Sequence, residues 1–147
     1  MIYLAADHGG FSLKEEIKAA FDGVGLAYED LGAFDLVPDD DYPDYAIPAA
    51  KKVSESPKEN KAILFCRSGT GEVIVANKFR GVRATLSWST EHAKLSREKN
   101  DCNVLAIPAD FIDINTAKEI IGAWLNTDFS KDERHIRRLK KIAEIDK

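Results

Sequence analysis

Cys66, Ser68 and Glu72 fall within seven residues of one another in the stretch ILFCRSGTGEVIVANK, which begins as an apolar strand and ends as a helix. A thiolate or a carboxylate can take a proton from carbon. The turn between them, Arg67-Ser68-Gly69-Thr70-Gly71, is rich in backbone N–H groups that could face an anion at a helix N-terminus. It matches neither the Walker pattern nor GxGxxG. A phosphate cradle, a catalytic loop and a plain strand-to-helix turn are therefore all open readings of this loop.

Other residues of the right type are spread along the chain. Asp7-His8, at a strand end, could position a sugar hydroxyl or shuttle a proton; alternatively Asp7 caps the following helix and His8 faces solvent. Arg134 and Arg138 are spaced i,i+4, so both lie on one helix face, either as a phosphate clamp or as a solvated surface. Cys66, beside a helix N-terminus, is a candidate for a lowered thiol pKa, whereas Cys102 reads as a small buried hydrophobe. His92 lies in a charged helix and reads as exposed.

The elements that must position these groups alternate between strand and helix. Ile2 to Ala6 is a strand. Ser12 and Glu15 form a capping-box pattern for a helix through Leu13, Ile17, Phe21 and Val24, which Gly25 stops. Leu26 to Leu31 reads as the second strand, Ala62 to Cys66 as the third, Val82 to Leu86 as the fourth and Asn103 to Ile107 as the fifth. Between them the pattern predicts helices from the Pro43–Pro48 region to Val53, over Glu72 to Phe79 and around Glu91 to Glu98. Two more helices follow, near Thr116 to Leu125 and after a second capping box at Ser130 and Glu133.

This alternation predicts one domain over residues 1–147: an α/β, Rossmann-like three-layer sandwich with a five-stranded parallel sheet and a C-terminal helical extension. Ligands in such folds sit outside the carboxyl ends of the strands. Asp7-His8, the loop after strand three, and Asn100 shortly before strand five are expected to converge there.

A net charge of −4 argues against general nucleic-acid or membrane-surface binding, and no apolar run approaches the length of a membrane span. Two cysteines form no disulfide or zinc framework, and the chain opens on a strand rather than a targeting segment, so a reduced, cytoplasmic protein is expected.

Five stretches, in order, give the chain a specific likeness: DHGGFSLKEEI, DYPDYA, GTGEVIVANKFRGVRA, REKNDCNVLA and ERHIRRL. It resembles, nearly end to end, the ribose-5-phosphate isomerase B family of sugar-phosphate isomerases, which includes galactose-6-phosphate isomerase subunits. The resemblance implies a homodimer or dimer of dimers with interface active sites. The implied reaction is a metal- and cofactor-free interconversion of an aldose phosphate and its ketose through a cis-enediolate.

One branch of that family places its base at the position of Cys66, the other at the position of Glu72. This chain has both, and Ser68, Trp88-Ser89 and SKDERHIRR favour the Glu72 branch. Glu72 is expected to be ionised without special tuning, and Cys66 to need its pKa lowered first.

By resemblance, the N–H groups of Ser68, Gly69, Thr70 and Gly71 hold the enediolate oxygens, with the Ser68 hydroxyl assisting. Asp7, His8, Tyr42 and Asn100 contact the sugar, and Arg134 and Arg138 hold the phosphate. Three positions depart from the family pattern: Arg67 replaces a glycine, Lys99 a ring-opening histidine, and Asp110 a phosphate-binding arginine. Ribose 5-phosphate is the default substrate. A tetrose or hexose phosphate, or a partner subunit with weakened catalysis, are the alternatives, and a flavodoxin-like nucleotide module ranks last.

Overall fold

The computed structural model describes residues 1–146. In chain order its elements are β1 (Ile2–Ala6), α1 (Phe11–Val24), β2 (Glu29–Asp30), α2 (Pro43–Glu55), β3 (Lys61–Cys66), α3 (Thr70–Ala76), β4 (Ala84–Leu86), α4 (Thr90–Asn100), β5 (Val104–Pro108), α5 (Ile114–Leu125) and α6 (Glu133–Ala143). The strands form one sheet in the order β2-β1-β3-β5-β4, and every pair is parallel. It is the expected three-layer sandwich.

Strand residues alternate between the two faces. Leu4, Ile63, Phe65, Leu105 and Ile107 pack on α1 and α5 through Ile17, Phe21, Ile120, Ile121 and Trp124. Tyr3, Ala5, Leu64, Val104 and Ala106 pack on α2 and α3, where Ala46, Ala49, Ala50 and Ala76 present small side chains to the sheet. Both faces of β3 and β5 are covered, which is why these strands read as unbroken apolar runs. Each large side chain so buried contributes about 1.5–3 kcal/mol.

Several expected boundaries shift. The second strand shortens from Leu26–Leu31 to Glu29–Asp30: the Leu26 N–H closes α1 on Phe21, and beyond Asp30 the chain still bonds β1 through Leu31, Gly32 and Ala33 while the Gly32 N–H turns back to Asp30 Oδ1. β4 begins only at Ala84. Helix α3 starts at Thr70, two residues early, and ends at Ala76.

Neither capping box forms. Gly10 is the N-cap of α1, and Glu15 pairs with Lys18 at 2.9 Å instead of reaching back. Asp132 is the N-cap of α6, while the Ser130 hydroxyl takes the Asp132 N–H and meets His135 Nδ1 at 2.7 Å.

Candidate active site

β1 and β3 are neighbours in the sheet, and the chain leaves β1 toward β2 on one side while β3 pairs with β5 on the other. The crevice at their carboxyl ends is the topological switch point, where ligands bind in open α/β sheets. Asp7–Gly10 leaves one strand there and Arg67–Gly71 the other. The two turns touch, since Gly9 backs directly onto Arg67.

Gly69, with φ +75°, turns the chain into α3. Its N–H donates to Cys66 Sγ at 3.0 Å and is therefore committed within the loop, while Thr70 N–H makes a long 3.4 Å bond to Ser68 Oγ. Gly71 has the Tyr42 ring above it: a Cβ there would sit 2.5 Å from Tyr42 Cζ, so a larger residue would displace the aromatic from this position. Tyr42 thus roofs the loop from the N-terminus of α2.

Glu72 is fully buried in the first turn of α3, and neither carboxyl oxygen receives a well-formed hydrogen bond from a described residue. Desolvation first, then the charge of buried Asp7, push its pKa well above the usual carboxylate range, against a weaker pull from the Cys66 thiol. The expectation that Glu72 is ionised without tuning is corrected: burial favours the neutral acid. Cys66 is also buried, and desolvation followed by the Glu72 charge raises its pKa despite the Gly69 N–H. A lowered thiol pKa, expected from the helix N-terminus, is corrected for the same reason. The Asp7 carboxyl, capping Gly9 N–H at 2.9 Å and Gly10 N–H at 3.1 Å, is likewise raised, chiefly by burial.

His8 is half-buried rather than solvated. Its backbone N–H and its Nδ1 both meet Asp40 Oδ1, at 2.8 and 2.7 Å. The Asp40 hydrogen bond raises the His8 pKa more than partial burial lowers it. The loop carrying Asp40 is anchored at its start by Lys14, a lysine with 0% exposure, whose Nζ donates to Asp30 Oδ1 at 2.7 Å and to the Ala33 carbonyl at 2.6 Å. Asp7, His8 and Asp40 each offer an atom within 4.8 Å of the others, a spacing compatible with a cation. The atoms involved already serve the turn and the imidazole, so hydrogen bonding accounts for the cluster.

The structure does not bring the remaining expected residues to this crevice within one chain. Helix α4 runs from the carboxyl end of β4 to the amino end of β5, so Lys99 and Asn100 lie at the opposite pole. There Arg83 donates to the carbonyls of Asn100 and Asp101. The expected convergence of Asn100 with the loop is thereby corrected: a residue just before a parallel strand sits at its amino end. Arg134 and Arg138 are exposed on α6, which flanks the same pole.

A cavity of about 830 Å³ opens there between α6 and Pro57, and a second of about 690 Å³ is lined by Lys99 and Asn100. Phe34, Leu36, Val37, Ile74, Trp88 and Phe111 are exposed on segments that follow the carboxyl ends of the strands. Asp110 lies 4.0 Å from the Arg67 guanidinium, which offsets its charge at the loop mouth.

Three features escaped the sequence reading. Asp40 lies in the run Asp39-Asp40-Asp41, and nothing in the sequence separates Lys14 from the other lysines of the chain. His92, expected to be exposed, is half-buried and stacks on Trp88 with ring centroids 4.2 Å apart.

Residues 2–142 match the Ribose/Galactose Isomerase family. The chain is 39% identical to ribose-5-phosphate isomerase B of Mycolicibacterium paratuberculosis, covering 99% of this chain and 91% of that protein. Among solved structures, a ribose 5-phosphate isomerase from Thermotoga maritima superposes with a TM-score of 0.91 at 38% identity, covering 98% of this chain and 97% of the other. Ribose-5-phosphate isomerase B from Mycoplasma genitalium, solved with bound ribulose-5-phosphate, superposes with a TM-score of 0.93 at 34% identity, covering 97% and 93%.

Proposed function

The chain belongs to the ribose/galactose isomerase family, and from that premise we propose that it interconverts ribose 5-phosphate and ribulose 5-phosphate by proton transfer through a cis-enediolate. The observation that carries this reading is the buried Glu72 carboxyl, set beside Cys66 and behind an N–H-lined turn at the switch point. Aldose–ketose exchange needs one base that lifts the proton from C2 and returns it to C1, in a site that keeps water away. Burial raises the carboxylate's basicity, which strengthens it as a proton acceptor once it is ionised.

Glu72 is the base in this proposal, and Cys66 packs against it. The N–H groups of Ser68, Thr70 and Gly71, with the Ser68 hydroxyl, face the charge that develops on the substrate oxygens. The Gly69 N–H, committed to Cys66 Sγ, drops out of the expected set. Asp7, His8 and Tyr42 contact the sugar, and Arg67 stands at the mouth of the loop.

Lys99, Asn100, Arg134 and Arg138 reach the site only from a second copy of the chain. The apolar side chains exposed on the segments that follow the strands support such a homodimer or dimer of dimers. The partner's arginines then hold the phosphate. No cofactor takes part in this scheme. No helix among the described residues is long and apolar enough to cross a membrane. The free thiols of Cys66 and Cys102 suit a reducing, cytoplasmic setting.

An assay across tetrose, pentose and hexose phosphates tests the proposal. Turnover of ribose 5-phosphate is expected. Turnover of a tetrose or hexose phosphate alone would reassign the substrate, and no turnover of any would favour a partner subunit without catalysis.

A further inference from the structure

We propose that His8, oriented by Asp40, is the acid–base group that opens the sugar ring before isomerisation; this rests on the pentose-phosphate reading above. Ribose 5-phosphate can close on itself as a furanose, in which the C1 aldehyde is masked as a hemiacetal. Opening it moves one proton from the O1 hydroxyl to the ring oxygen while the bond from C1 to that oxygen breaks. The group that does this must both accept and donate near neutral pH, which is the work of an imidazole.

His8 leaves β1 at the switch point, next to Asp7 and beside the Arg67 turn. A carboxylate can only accept, so the 2.7 Å contact to Asp40 Oδ1 fixes the proton on Nδ1 and leaves Nε2 as the ring's free acceptor. The same Asp40 oxygen takes the His8 backbone N–H, so backbone and ring are held together. Asp40 is itself placed by the loop that Lys14 anchors, with Tyr45 of α2 against its carboxylate.

The step balances on this one imidazole. Neutral His8 Nε2 takes the O1 proton as the C1 carbonyl forms. The imidazolium, stabilised by Asp40, then gives that proton to the departing ring oxygen. The charged and titratable groups facing His8 are Asp40, Asp7 and Arg67; the two carboxylates favour the imidazolium and the guanidinium opposes it. Asp40 is a positioning residue in this scheme, acting through the ring it holds.

Ribulose 5-phosphate separates ring opening from isomerisation, because its C5 oxygen carries the phosphate and it cannot close to a furanose. The experiment compares two rates in wild type, His8→Asn and Asp40→Asn. One is conversion of ribose 5-phosphate to ribulose 5-phosphate. The other is exchange of the C1 protons of ribulose 5-phosphate with deuterated solvent.

His8→Asn, which also removes a sugar contact, is expected to lower the first rate about 10²-fold more than it lowers the second. Asp40→Asn should move the pH dependence of the first rate downward while leaving the pH dependence of exchange unchanged, a split that mere loosening of the loop would not produce. Equal losses in both rates, or no loss in either, would overturn the role of His8 alone. Wild-type protein that exchanges no pentose-phosphate proton would overturn the isomerase reading and this one with it.

Discussion

The Cys66 thiol faces the Glu72 carboxyl inside the turn between β3 and α3, and the two acids are sealed from water together. Such a pair gives up its first proton as a unit, and the carboxyl is intrinsically the stronger acid. In the proposed mechanism the reactive state carries one negative charge, held mainly by Glu72.

Glu72→Gln keeps size and removes the proton acceptor. It should lower kcat by roughly 10²–10⁴-fold, while Cys66→Ala is mild. Exchange of the substrate C2 proton with deuterated solvent decides between them. Undiminished exchange in Glu72→Gln together with its loss in Cys66→Ala would make the thiol the base.

The same substitution should stabilise the fold. A raised folded pKa means that the stability Glu72 contributes is fully present below its unfolded pKa and is lost as pH rises toward the folded value. At pH 7 the buried carboxyl is therefore a net cost, which glutamine removes. Differential scanning calorimetry should show Tm rising by about 2–4 °C for each kcal/mol recovered, with less gain at pH 4. A lower Tm at pH 7 would show that the carboxylate is better solvated than its burial implies.

Activity should follow the same ionisation. Because burial and Asp7 raise the Glu72 pKa, kcat/KM should climb with pH through a limb displaced above the ordinary glutamate range. A profile flat down to pH 5 would mean a base with an unshifted pKa.

Lys14→Met leaves Asp30 with Lys18, at 2.6 Å, as its cationic partner among the described residues. Breaking one side of a buried ion pair costs about 3–5 kcal/mol, and Lys18 should hold the loss to the lower end. Urea denaturation at pH 7 measures it. The Asp30 pKa is lowered by Lys14 and Lys18 against an opposing burial effect, so its contribution holds above the unfolded pKa and fades as pH falls through the folded one. A loss below about 1 kcal/mol would place Lys14 among ordinary surface lysines.

Arg138→Ala should mainly raise KM for the phosphorylated substrate. Loss of a charge-assisted hydrogen bond costs about 1.5–3 kcal/mol, roughly ten- to hundredfold in binding. An unchanged KM would point to Lys99 instead. Light scattering at micromolar concentration should give at least twice the 16.3 kDa chain mass, because the arginines cannot reach the loop of their own chain.

The sheet and its helices were legible because β3 and β5 are buried on both faces and α1 and α5 each present one apolar stripe. The switch-point residues Asp7, Cys66 and Glu72 followed, since Asp7 directly follows β1, Cys66 ends β3 and Glu72 lies in the first turn of the helix after it. Asn100 was misplaced because nearness to a strand in sequence does not say at which end of it a residue lies. Asp40 and Lys14 were missed because their meaning is tertiary: one aspartate of three meets an imidazole 32 residues away, and one lysine on the buried face of α1 reaches Asp30 and the Ala33 carbonyl. Glu72 was legible as a residue but not as an environment, since its ionisation depends on what seals it.

Helix α4 spans about 16 Å from pole to pole, and that span carries a genetic consequence. If each site draws its acid–base loop from one copy and its phosphate arginines from the other, one allele defective in Glu72 and another defective in Arg138 are each inactive alone. Expressed together in equal amounts and free to pair, they assemble hybrid dimers in which both lesions fall in the same site and the other site is whole. About a quarter of the wild-type sites would be restored, so two null alleles of this one gene would complement each other.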